Sequence, residues 1–107
     1  MGKYKVVVSS RVDRQLLTHV EFITRVSIPA ARRFRNEYAR ILDELEENPL
    51  QFPLDTDPNL PENIYHKAVF VKWYKALFMI NANNQIVYLD AIVDCRQSSD
   101  SFEYRVR

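Results

Sequence analysis

The periodicity of apolar residues changes once along this chain, and that change constrains its fold more than any other feature. From 11 to 48 apolar side chains recur every three or four residues, the helical period. From 65 to 93 short β-branched and aromatic runs stand between turn signals. Helices first and strands after predict an α+β domain, not an alternating α/β one. At 107 residues the chain is the size of one domain, so 1–107 is read as a single unit.

Tyr4–Ser9 reads as a first strand. Ser10 is placed to cap a helix from about Arg11 to Arg25, with Val12, Leu16, Val20 and Ile23 on one face. Ser27 caps a second helix that runs to about Asn48, with Pro29 in its first turn and a stripe of Ala31, Phe34, Tyr38, Ile41 and Leu45. Few residues separate the two helices, which predicts an antiparallel hairpin. Pro49, Pro53, Pro58 and Pro61 mark 49–63 as an extended surface loop. Three strands follow, at Tyr65–Lys72, Tyr74–Ala82 and Gln85–Val93, with Asn81-Ala82-Asn83-Asn84 as a turn in which asparagine takes the positive φ. The expected order is β-α-α-β-β-β, the helical hairpin covering one face of a small, largely antiparallel sheet. The tail 94–107 is left open.

Several functional classes fall away. Gly2 is the only glycine, so no glycine loop can cradle a phosphate. Cys95 is the only cysteine, which excludes an internal disulfide. His19 and His66 match no zinc spacing, and no metal or cofactor is expected. No apolar run approaches a membrane span, and the N-terminus lacks an export h-region, so a cytoplasmic location is expected. Gly2 in a myristoylation context has poor company in Lys3 and Tyr4.

The net charge is only +1, but it is unevenly spread. Residues 1–42 carry +6, residues 43–63 carry −7 and residues 64–107 carry +2. The second helix repeats this pattern in miniature. Arg32, Arg33, Arg35 and Arg40 lie towards its start, and Asp43, Glu44, Glu46 and Glu47 towards its end. That is the reverse of what the helix dipole favours.

A two-residue turn at Lys72-Trp73 would place Lys67, Val69, Val71, Tyr74, Ala76, Phe78 and Ile80 on the helix-facing side. His66, Ala68, Phe70, Lys75, Leu77 and Met79 would share the other. That second face mixes cations with apolar groups, as an RNA- or protein-binding concavity does. Lys67 and Lys72 are candidate RNA contacts beside it, and Trp73 is a candidate for stacking on a base. Arg96 stands just past the last strand, where loops carry function, within reach of Asp94 or Asp100. Asp90 and Asp94 read as orienters of Arg96, Cys95 as a small buried residue, and His19 as solvated or packed.

The element order, the Ala30-Ala31-Arg32-Arg33-Phe34 start of the second helix, the Lys75-Ala76-Leu77-Phe78-Met79-Ile80 strand and the Val93-Asp94-Cys95-Arg96-Gln97 ending together resemble the RelE/ParE superfamily. These are toxins of type II toxin–antitoxin systems, often met as plasmid stabilization proteins. The resemblance implies a cognate antitoxin as partner, with the two-signed surface available to it. It also implies a target, messenger RNA on the ribosome as the first reading and DNA gyrase as the alternative. RelE-type members cut messenger RNA on the ribosome, as metal-independent endoribonucleases (mRNA interferases), by attack of a 2′-OH on the adjacent phosphate. That chemistry needs a proton acceptor, cations for the developing charge and a proton donor. By position His66, Lys75 and Arg96 fall in those roles, and Tyr104 substitutes for the tail tyrosine if the tail is shifted. Ala68 stands where the family has a second basic residue, and Phe102 where it has a tail tyrosine. ParE-type members instead poison DNA gyrase. A non-catalytic interaction module on the same fold is the third implication.

Overall fold

The computed structural model describes residues 3–96. Their order is strand β1 (Lys5–Val8), helix α1 (Ser10–Val26), helix α2 (Ile28–Glu47), a 3-10 turn (Pro49–Gln51), and strands β2 (His66–Phe70), β3 (Tyr74–Asn81) and β4 (Ile86–Asp94). The expected α+β order holds, with two helices on a four-stranded mixed sheet.

Both helix starts are capped by serine. Ser27 serves α2 as expected, its Oγ accepting from the Ala30 N–H at 3.2 Å. For α1 the cap is Ser9 and not Ser10; its extended backbone turns the hydroxyl onto the Arg11 N–H at 3.0 Å. The sheet order is β1-β4-β3-β2. β1 runs parallel to β4, and the other two pairings are antiparallel. Helix residues Val12, Phe34, Ile41 and Leu45 meet Phe70, Tyr74, Phe78, Val87, Leu89 and Ile92 in one core. Phe78 and Val12 are fully buried there, each contributing roughly 1.5–3 kcal/mol relative to exposure.

The expected facing of β2 is wrong by one residue. Phe70 pairs with Tyr74, so Val71, Lys72 and Trp73 form a three-residue connection in place of a two-residue one. Val71 and Lys72 take positive φ, 39° and 70°, and the Trp73 N–H closes back on the Val71 carbonyl at 2.7 Å. Strand side chains alternate with a period of two, so the extra residue inverts the whole strand. His66, Ala68 and Phe70 share the helix side with Tyr74, Ala76 and Phe78, while Lys67 and Val69 share the outer side with Lys75 and Leu77. The assignment of β3 itself is correct. In the β3–β4 turn the positive φ belongs to Gln85, at 54°. The asparagines contribute otherwise, Asn81 Oδ1 accepting from the Asn84 N–H.

The loop before β2 is less open than its prolines imply. It straps the outer sheet face, where Leu60 and Tyr65 bury Leu77, Ala91 and Val93. Lys67 N–H donates to the Pro53 carbonyl, and Leu54 bridges His66. β4 carries a bulge: Leu77 pairs with Ala91 and Phe78 with Leu89, so Asp90 is the extra residue. No described helix is long and apolar enough to cross a membrane.

Candidate functional site

Three of the singled-out residues converge at the end of the sheet where β3 begins and β4 finishes. The Cys95 N–H donates to the Trp73 carbonyl at 2.6 Å, which ties the residues after β4 to the β2–β3 turn. Trp73 is 43% exposed. Lys72 Nζ lies 4.9 Å from its ring centroid and the Arg96 guanidinium 5.4 Å from it. Two cations thus bracket an accessible indole, a cation–π arrangement that also leaves positive charge at the rim.

Arg96 is held rigidly for a surface arginine. Its Nε donates to Asp94 Oδ1 at 3.0 Å and its Nη2 to Oδ2 at 2.8 Å, the bidentate fork that arginine favours with a carboxylate. The Arg96 backbone N–H also donates to Oδ1, at 2.9 Å. Nη2 reaches the Tyr74 hydroxyl at 3.4 Å. Burial alone would raise the Asp94 pKa, but the hydrogen bonds from Arg96 outweigh it and hold the carboxyl below its ordinary range. Burial pushes the Tyr74 phenol upward, with Asp94 adding to the rise and Arg96 opposing it. Tyr74 therefore stays a neutral hydroxyl at physiological pH.

Behind this cluster α1 supplies two side chains that the sequence did not flag for it. β1 stops opposite Leu89, so the Ile92 backbone has no strand beside it on that edge. Gln15 Oε1 accepts from the Ile92 N–H at 2.8 Å, and His19 Nε2–H donates to the Ile92 carbonyl at 3.0 Å. The spacing of four puts both on one helix face. The His19 ring stands edge-on to Tyr74, 5.0 Å between centroids, and to Phe34. No pattern in the sequence announces such partners, because what they bind is backbone.

The other candidates are not part of this cluster. His66 lies on the helix side, stacked on Phe78 at 5.6 Å, and its Nδ1–H donates to the Phe52 carbonyl at 2.9 Å. Lys75 lies on the outer side, its Nζ 2.6 Å from Asp55 Oδ2 in a largely buried ion pair. The expected shared face of His66 and Lys75 does not exist. Lys67 joins Lys75 on the outer side, opposite Leu77. Asp90 does not orient Arg96; it accepts from the Tyr65 hydroxyl at 2.6 Å. Cys95 is exposed and not the small buried residue anticipated. Partial burial of its thiol still pushes its pKa up, with Lys75 opposing. Tyr104 and Phe102 lie outside the described residues. Among the described residues no group of three or more His, Cys, Asp or Glu side chains could hold a metal ion.

No model of a known protein family matches the chain, and no curated protein matches it.

Proposed function

We propose that the chain is a toxin-type module of the RelE/ParE kind, restrained by a cognate antitoxin, that acts by holding its target through the Lys72–Trp73–Arg96 end of the sheet. It does not act by acid–base cleavage at His66 and Lys75. One observation carries this reading. His66 and Lys75 lie on opposite sheet faces, and each already has a partner, the Phe52 carbonyl and the Asp55 carboxylate. A proton acceptor and a phosphate-stabilising cation must converge within hydrogen-bond reach of one reacting group. The toxin class itself rests on the sequence resemblance. The gyrase-directed members of that superfamily are the analogue of a holding mechanism.

A second reading, cleavage of messenger RNA on the ribosome, is favoured by Trp73. An exposed indole bracketed by Lys72 and Arg96 has the chemistry to stack a base while cations meet its phosphate. Induced expression separates the two. In the first reading growth slows, messages stay intact, and DNA breaks with an SOS response appear. Trp73→Ala and Arg96→Ala relieve the toxicity, His66→Gln leaves it, and co-expression of the neighbouring antitoxin gene restores growth. Codon-register message 5′ ends that vanish in His66→Gln, or in Lys75→Met paired with Asp55→Asn, would overturn that reading in favour of the nuclease. Harmless expression of the wild-type chain in several hosts would remove both and leave a non-toxic interaction module.

A further inference from the structure

Helix α2 is charged against its own dipole, and the charges at its two ends stand exposed. No acidic residue stands in its first turn and no basic residue in its last. Arg40, at mid-helix, is satisfied internally, with 2.7 Å contacts to both Glu37 and Glu44. Arg32, Arg35, Asp43 and Glu46 have no ion-pair partner among the described residues. The helix turns Ala31, Phe34, Ile41 and Leu45 to the core. On the opposite side Arg32, Asn36, Ala39, Asp43 and Glu46, at alternating spacings of four and three, form one exposed stripe, with the exposed Arg35 at its edge. The stripe is cationic at one end, anionic at the other, and small in the middle.

We propose that this stripe is a contact between two copies of the chain, with the two α2 helices lying antiparallel across a two-fold axis at Ala39. The proposal does not depend on the toxin-type reading. A two-fold contact requires a self-complementary surface. Arg35 and Asp43 stand equally far from Ala39 on either side, and so do Arg32 and Glu46. The symmetry therefore sets Arg35 against Asp43 of the second copy and Arg32 against Glu46 of the second copy, each pair occurring twice. The helix dipoles also oppose one another, so an arrangement unfavourable within one helix becomes favourable between two. Ala39, the smallest side chain of the stripe, permits close approach of the backbones at the crossing. The charge layout favours a second copy over a foreign helix, because α2 reversed end to end already carries the complementary order. The contact is polar, so the dimer is weak and sensitive to salt.

The test is sedimentation equilibrium of the full chain, with circular dichroism to verify folding of each variant. Wild type is expected to dimerise at low salt and to weaken about tenfold or more when ionic strength rises from roughly 0.01 to 1 M. Arg32→Glu with Arg35→Glu, and separately Asp43→Lys with Glu46→Lys, should each be monomeric. Mixing those two variants should restore a dimer, since the four paired positions are then all acidic in one helix and all basic in the other. A second measurement needs no charge reversal. Ala39→Cys in a Cys95→Ser background should cross-link to itself under oxidation. A wild type that stays monomeric at low salt overturns the proposal. So does a dimer indifferent to the reversals, a mixture that fails to associate, or an absent cross-link. Loss of binding to a co-expressed neighbour protein without any change in self-association would assign the stripe to that protein and overturn it equally.

Discussion

Two carboxylates show how much a single residue's partner decides in this protein. Asp55 is 6% exposed, accepts the Asp57 N–H as well as Lys75 Nζ, and fastens the strap to the sheet. Removing one member of a buried pair leaves the other's charge unmatched, at a cost of about 3–5 kcal/mol. Lys75→Met is therefore expected to destabilise by that order in denaturant titration, and Lys75→Met with Asp55→Asn to recover most of the loss. The double variant also isolates Lys75's structural role from any role at a target. Asp94 is the contrasting case, a mostly buried carboxylate whose arginine partner stands at the surface. Its lowered pKa means that it contributes stability above the unfolded carboxylate value of about 3.9, and that this is lost as pH falls through the folded value. In Arg96→Ala the raising effect of burial is opposed only by the backbone N–H of residue 96 and the weaker pull of His19. The Asp94 carboxyl, followed by NMR, is then expected to titrate at higher pH than in wild type, and the acid limb of the stability curve to move up with it. An unchanged Asp94 titration would contradict the geometry of the fork.

At the scale of elements, the helices were legible and the strand pairing was not, for a physical reason that sits in three residues. Val12, Leu16, Phe34 and Ile41 announce their burial by spacing alone, and Ser27 announces its cap. The facing of β2 depended on whether the chain crossed from Phe70 to Tyr74 with two residues or three. Composition favours neither, because Val71 and Lys72 are poor choices for positive φ and gave no turn signal. That one residue separated His66 from Lys75 and took apart the constellation that their sequence positions implied. Arg96, Lys72 and Trp73 lie together regardless, because strand ends stay at strand ends whatever the parity. The same turn carries a prediction. A lysine at φ 70° costs about 1 kcal/mol that glycine does not. Lys72→Gly is expected to raise stability by roughly 0.5–1 kcal/mol in thermal unfolding while weakening target engagement, since it removes one of the two cations beside Trp73.

Across the whole molecule the sheet is covered by helices on one side and, over Leu77, Ala91 and Val93, by the strap on the other. The strap's anchor is apolar as well as ionic, because Leu60 covers Leu77, Ala91 and Val93. Leu60→Ala is expected to cost about 2–3 kcal/mol and to increase dye binding to the exposed outer face; a stability change below about 0.5 kcal/mol would mean that the strap is not seated on the sheet. None of this second layer was visible in a segment rich in proline and acid, since a loop's burial depends on what it lies against and not on its own pattern.

The place of β4 in the sheet has a consequence for how the molecule is made. It is the last of the described strands to be synthesised and the one bonded to both β1 and β3, so Lys5 finds its partner only in Ile86. A chain growing from its N-terminus can form the helical hairpin and then the β2–β3 hairpin, both local. β1 has nowhere to go until β4 emerges, and neither do Gln15 and His19, whose partner is the Ile92 backbone. The core that joins Val12 and Phe34 to Val87 and Leu89 therefore closes late and in one step, governed by a long-range pairing that is slow to find. The sheet end bearing Lys72, Trp73 and Arg96 is completed by the same event, so the surface proposed to do harm is assembled only after β4 and Arg96 have been made.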